Sequence, residues 1–137
     1  MPRKAMPVVL DAWSVVAYLE GEPAGERVAE AIADAHESGR AVMMTVVNAG
    51  EVWYLISRAT SETEADSSIS DLRQLGVEFA EADWELTRNA AAFKSKHHMS
   101  FADCFAAALA KQRKATLLTG DPEFRQVQAQ VRIQWLE

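Results

Sequence analysis

Short apolar runs alternate along the chain with longer amphipathic stretches. Val8-Val9-Leu10 is a strand-like run that ends on Asp11. From Ala12 to Leu19, Trp13, Val16 and Ala17 recur at helical spacing. Glu20-Gly21-Glu22-Pro23 carries turn residues, and Pro23 suits the first turn of a helix reaching about Ser38, with Val28, Ala31, Ile32 and Ala35 as its apolar stripe. Ala41 to Met44 reads as a second buried strand. Thr45 then caps a helix from Val46 to Arg58 whose expected apolar stripe is Val47, Gly50, Tyr54 and Leu55.

The second half repeats the alternation. Ser61 with Glu64 makes a capping box for a helix carrying Ala65, Ile69 and Leu72 and ending near Gly76. Val77 to Ala80 is a third strand, and Asp83 to about Lys96 a helix with Leu86, Ala90 and Phe93 inward. Ser100 opens another helix, Ala115 to Thr119 forms a strand running into Gly120 and Asp121, and Pro122 to about Val127 makes a short helical turn. Val131 to Leu136 alternates as a last strand, expected at the sheet edge. Strand and helix in alternation imply an α/β fold with a mainly parallel sheet covered on both faces. With no repeat, low-complexity tract or long linker, residues 1–137 are expected to form a single domain.

Composition narrows the class. The chain is 49% apolar and 25% charged, as in an ordinary globular protein. Its one cysteine, Cys104, excludes an internal disulfide framework and fits a reducing, cytoplasmic setting. The apolar run Ala41 to Val47 is too short to span a bilayer, and Arg3 and Lys4 precede only Val8-Val9-Leu10, so no membrane segment and no signal-peptide core are expected. The net charge of −6 argues against a broad basic face for nucleic acid and leaves room for a local basic patch.

The acids at strand ends carry the chemistry. Asp11 ends the first strand and Asp121 follows the fourth. Asp103 lies in the first turn of the helix leading into that fourth strand, which begins near the edge where parallel strands end. Glu51 lies six residues past Thr45, roughly 9 Å into its helix, within reach of the same edge. Each has a plainer reading. Asp11 can cap the helix at Ala12, Asp103 completes Ser-x-x-Asp, and Asp121 is an N-cap before Pro122. Glu51 borders an apolar stripe and needs a partner. That four acids reach one edge on independent grounds favours a shared site, the place where open α/β sheets bind ligands. Two carboxylates at ~4 Å repel by about 4 kcal/mol at an effective dielectric of 20. A hard cation with oxygen ligands, Mg²⁺ or Mn²⁺, relieves this.

Val9-Leu10-Asp11, Val47-Asn48-Ala49-Gly50-Glu51, Ser100-Phe101-Ala102-Asp103 and Leu118-Thr119-Gly120-Asp121-Pro122-Glu123-Phe124 resemble, in order and spacing, the motifs of PIN-domain nucleases. The whole chain is similar to the VapC toxins of toxin–antitoxin pairs. The resemblance implies a PIN-like three-layer α/β/α fold with about five parallel strands, and Mg²⁺ or Mn²⁺ held by Asp11, Glu51, Asp103 and Asp121. It implies hydrolytic cleavage of RNA leaving a 5′-phosphate and a 3′-hydroxyl, in a homodimer blocked by a VapB-type antitoxin. Asp11, Glu51 and Asp103 are the first-choice ligands, with Asp121 completing a second cation site or holding a water. Ser14, Asn48, Ser100 and Thr119 are the candidate supporting groups. Where the family usually carries Ser or Thr two residues after the first Asp, this chain has Trp13, with Ser14 following.

Lys94 and Lys96, in Lys94-Ser-Lys-His-His98, precede Ser100 and flank the acidic edge, so they can hold RNA phosphates. They equally complement the dipole at a solvated helix end. Three alternatives remain: a DNA-directed nuclease, an inactive PIN-like binding module and a phosphoacceptor regulatory domain. The last needs an aspartate at the end of the third strand, where Val77-Glu78-Phe79-Ala80 supplies none in its final positions.

Overall fold

A computed structural model describes residues 6–136, so Arg3 and Lys4 lie outside the described residues. The elements run β1 (Val8–Leu10), α1 (Ala12–Leu19), α2 (Pro23–Glu37), β2 (Val42–Thr45), α3 (Val46–Ala59) and α4 (Glu62–Gln74). They continue with β3 (Val77–Ala80), α5 (Trp84–Lys96), α6 (Phe101–Gln112), β4 (Thr116–Thr119), a 3-10 turn (Pro122–Val127) and β5 (Arg132–Trp135). Capping side chains set most helix starts. Asp11, Thr45, Ser61, Asp83 and Ser100 each accept a hydrogen bond from the backbone N–H three residues on.

The five strands form one all-parallel sheet in the order β3-β2-β1-β4-β5. Alternate side chains of the central strands feed two cores, because successive strand residues point to opposite faces. Val9, Met43 and Leu117 pack with Phe93, Cys104, Phe105 and Leu109 of α5 and α6. Val8, Leu10, Val42, Met44 and Leu118 pack with Val15, Val28, Ile32, Val52 and Leu72 of α1 to α4. The result is a three-layer α/β/α fold.

The chain leaves β1 toward β2 and β3 on one side, then returns to place β4 and β5 on the other. The order therefore reverses between β1 and β4, and a crevice opens beyond the carboxyl ends of these two strands. Leu10 pairs with Leu118 in register. The next residue of each strand, Asp11 and Thr119, thus arrives together at the mouth of that crevice.

One expected helix face, that of α3, is corrected, and that of α1 is enlarged. In α3 the buried residues are Asn48, Ala49, Val52 and Ile56, whereas Gly50, Tyr54 and Leu55 are exposed and Val47 is half-buried. In α1 the buried residues are Ala12, Ser14, Val15 and Ala17, with Trp13 and Val16 half-buried. In both helices a small polar residue, Ser14 or Asn48, takes a core position because it hydrogen-bonds the preceding turn. In α3 that turns Tyr54 and Leu55 outward, whereas Trp13 and Val16 of α1 stay packed against the core.

Candidate active site

Asp11 is wholly buried and caps α1. Its Oδ1 accepts from the Ser14 backbone N–H at 2.8 Å, and its Oδ2 accepts from the Thr119 hydroxyl at 2.5 Å. Ser14 Oγ donates in turn to the Asp11 carbonyl at 3.0 Å. Thr119 Oγ1 also accepts from the Asp121 N–H at 3.0 Å, so one hydroxyl joins both aspartates across the strand end. Asp121 caps the 3-10 turn, its Oδ1 accepting from the Glu123 N–H at 2.9 Å.

Asn48 brings the remaining acids in. Its backbone N–H donates to Thr45 Oγ1 at 3.0 Å, and Thr45 Oγ1 donates to Asn48 Oδ1 at 2.6 Å. Asn48 Nδ2 then donates to the Ala102 carbonyl at 3.0 Å. This buried amide ties the first turn of α3 to the first turn of α6. One turn beyond Asn48 is Glu51, and next to Ala102 is Asp103, whose N–H is capped by Ser100 Oγ at 3.1 Å.

Glu51, Asp103, Asp121 and Glu123 line one cavity of about 450 Å³, together with Glu22, Ser100, Trp13, Val16 and Leu55. Asp11 is buried next to Ala12 of the cavity wall and lines none of it. One carboxylate oxygen each of Asp103, Asp121 and Glu123 lies within 4.8 Å of the others. Glu51 Oε1 is buried and meets no hydrogen-bond donor among the described residues. Glu22 and Glu123 had not been singled out. Glu123 stands two residues after Asp121 in a turn whose Pro signalled only a helix start, and Glu22 sits in a loop distant in sequence.

Burial and the repulsion of neighbouring charges raise Asp103, Asp11 and Glu51 above the usual carboxylate range. Asp103 is pushed up to about 8, by burial first and then by the charges of Asp121, Asp11 and Glu51, against the lowering effect of Ser100. Burial carries Asp11 to about 6, although the Thr119 and Ser14 hydrogen bonds pull the other way. Glu51 is raised by burial and by Asp121. An all-carboxylate donor set with an orphaned buried oxygen fits a hard divalent cation.

Trp13 occupies the apolar wall. Its ring lies flat against Gly120, where an added Cβ would sit 2.3 Å from the ring edge, so only glycine admits this contact. Lys94 and Lys96 do not line this cavity. Lys94 Nζ donates to the Met99 carbonyl at 2.7 Å, and Lys96 lines a separate groove between α5 and α6.

Curated protein sequences offer no match to the chain. Solved structures of similar fold include DNA-bound VapBC from Salmonella typhimurium, at TM-score 0.76 and 12% identity over 96% of this chain and 99% of that one. VapBC2 from Rickettsia felis, bound to a DNA fragment from its promoter, is similar at TM-score 0.73 and 16% identity over 94% and 98%. VapC20 from Mycobacterium tuberculosis, described as a toxin that cleaves the sarcin–ricin loop, is similar at TM-score 0.66 and 19% identity over 88% and 94%. The PIN domain family model matches residues 8–130, from the first strand through both acid-bearing turns to the loop before the last strand. The chain belongs to the PIN domain family.

Proposed function

We propose that this chain is a Mg²⁺- or Mn²⁺-dependent endoribonuclease, the toxin of a VapBC-type pair. It acts in the cytoplasm as a homodimer whose site a VapB-type antitoxin closes. The observation that carries the reading is the meeting of Glu51, Asp103, Asp121 and Glu123 around one cavity, with buried Asp11 joined to Asp121 through the Thr119 hydroxyl. The domain assignment extends over residues 1–137. Family membership and likeness in fold to chains described in VapBC complexes support the toxin assignment.

The residues divide the work by position. Asp103, Asp121 and Glu51 supply carboxylate oxygens from the cavity wall, and Glu123 adds a fourth from the rim. Asp11 is buried beside the group; each of its oxygens accepts one hydrogen bond and keeps a second lone pair. A divalent cation held there supplies positive charge for a phosphodiester and lowers the pKa of water. Asp103 then gives up the proton that burial and its neighbours favour, since carboxylates bind cations in the ionised form. Thr119, Ser14, Asn48 and Ser100 hold the acids in place through the hydrogen bonds they make.

A gel assay of the purified chain with RNA and with DNA, in Mn²⁺ and in EDTA, tests this. RNA cleavage in Mn²⁺, its loss in EDTA, and its loss in Asp103→Asn or Asp11→Asn with the fold retained are expected. Full activity in EDTA or in either variant overturns the metal assignment, and cleavage of DNA alone overturns the substrate.

A further inference from the structure

A polyanion has little reason to approach a cavity lined by carboxylates in a chain of charge −6. Substrate affinity has to come from a surface of opposite sign. A second cavity, about 470 Å³, runs between α5 and α6. Arg88, Lys96 and Lys111 line it with Glu85 as its one acid, over a floor that includes Phe93 and Ala108. All three cations are exposed, and the Lys111 ammonium stands 5.7 Å from the centre of the Phe93 ring.

The two cavities are neighbours. His97 lines the groove and Ser100 lines the carboxylate cavity, so only two residues, at most about 11 Å of chain, separate them. That turn is held on both sides. Lys94 Nζ binds the Met99 carbonyl at 2.7 Å, while the His98 N–H donates to Gln126 Oε1 at 2.9 Å and Gln126 Nε2 donates to the His98 carbonyl at 3.1 Å. A fixed ridge thus joins a site of negative charge to a groove of positive charge.

We propose that the α5–α6 groove binds the RNA backbone flanking the scissile bond, with Arg88, Lys96 and Lys111 pairing with successive phosphates. The inference rests on the RNA-cleaving reading and gives it a footing outside the acids. It keeps Lys96 from the basic stretch before Ser100 and replaces Lys94, which is engaged within the fold.

The test is fluorescence anisotropy with a labelled single-stranded RNA of about 20 nucleotides and the full chain, in EDTA to prevent cleavage, across a salt series. Each phosphate contact on a single strand contributes about 0.7 to the slope of log affinity against log salt. Arg88→Gln/Lys96→Gln/Lys111→Gln should lower that slope by about 2 and weaken low-salt binding by tenfold or more. Arg27→Gln/Arg73→Gln/Arg132→Gln removes equal charge from exposed sites outside the groove and should change the slope far less. Circular dichroism checks that both variants fold. Equal slopes in the two variants, or an unchanged slope in the groove variant while the wild type still cuts RNA in Mn²⁺, overturn the groove alone. A groove variant that turns monomeric with its RNA affinity intact assigns the surface to a second copy of the chain and also overturns it. A wild-type chain that neither binds nor cuts RNA removes the functional reading itself.

Discussion

Asp11 and Thr119, 108 positions apart in sequence, meet through a 2.5 Å hydrogen bond with both residues wholly buried. The contact follows from sheet register, since the residues just before them, Leu10 and Leu118, are paired. Thr119→Val keeps the shape and removes the donor, leaving one oxygen of a buried carboxylate without its partner. A loss of about 1–3 kcal/mol in stability is expected by urea denaturation at pH 7, with Thr119→Ser largely restored. A Val variant as stable as wild type would show that the hydroxyl holds nothing in place.

The raised carboxylates give metal-free protein a pH dependence of definite sign. Asp11 titrates at about 6 and Asp103 at about 8 in the folded chain, whereas aspartates in unfolded chains titrate at about 4. Between those values the folded protein holds protons that the unfolded chain has lost. Their stabilisation is complete below about pH 4 and disappears as pH rises through 6 and then 8. In EDTA the melting temperature should therefore be several degrees lower at pH 8.5 than at pH 5. Asp103→Asn should remove the decline between about pH 6 and 8 and reduce it below about pH 6, where Asp11 still contributes. A melting temperature that climbs across this range in EDTA contradicts the assignment.

Sheet and helices were legible because their punctuation is local. Asp11, Thr45, Ser61, Asp83 and Ser100 stand where capping side chains belong, and short apolar runs between such signals have little room to be anything but buried strands. Strand direction brought Asp11 and Asp121 to one edge, since parallel strands all end on the same side, and helix direction and rise brought Asp103 and Glu51 toward it. The faces of α1 and α3 were harder. Periodicity assigns Tyr54 and Leu55 inward, but Asn48 wins the core position in α3, as Ser14 wins one in α1, through hydrogen bonds that hydropathy does not register. Glu123 escaped notice because a 3-10 turn of six residues has no repeating pattern to aim a side chain.

Trp13 and Gly120 form a contact that fixes the turn between Thr119 and Asp121. A methyl group at position 120 would fall 2.3 Å from the indole, too close to coexist with it. Gly120→Ala should thus displace either the ring or the turn, lowering stability by about 1–3 kcal/mol, the usual cost of overpacking. Trp13→Ala removes the obstacle, so the double variant should lose clearly less than the sum of the two single changes. A coupling near zero in this cycle would mean that ring and turn are independent. Calorimetric Mn²⁺ titration should report weaker uptake in Gly120→Ala, because Asp121 moves with the turn.

Glu51 separates stability from function most directly. Its Oε1 is buried with no donor, and its pKa is raised by burial and by the nearby charge of Asp121. Gln at this position removes the charge and brings an amide that can donate to the neighbouring carboxylates. In EDTA at pH 8, Glu51→Gln should therefore be more stable than wild type, by up to ~1 kcal/mol given that the residue is half exposed. The gain should shrink at pH 5, where Asp103 and Asp11 carry protons. Addition of Mn²⁺ should reverse the ranking. Ligand binding stabilises in proportion to occupancy, and a site short of one carboxylate binds the cation less tightly. RNA cleavage should fall at least a hundredfold in the same variant. The prediction is thus a crossing of two melting curves, wild type below Glu51→Gln without the ion and above it with the ion. Curves that keep one order in both conditions would mean that Glu51 does not face the cation.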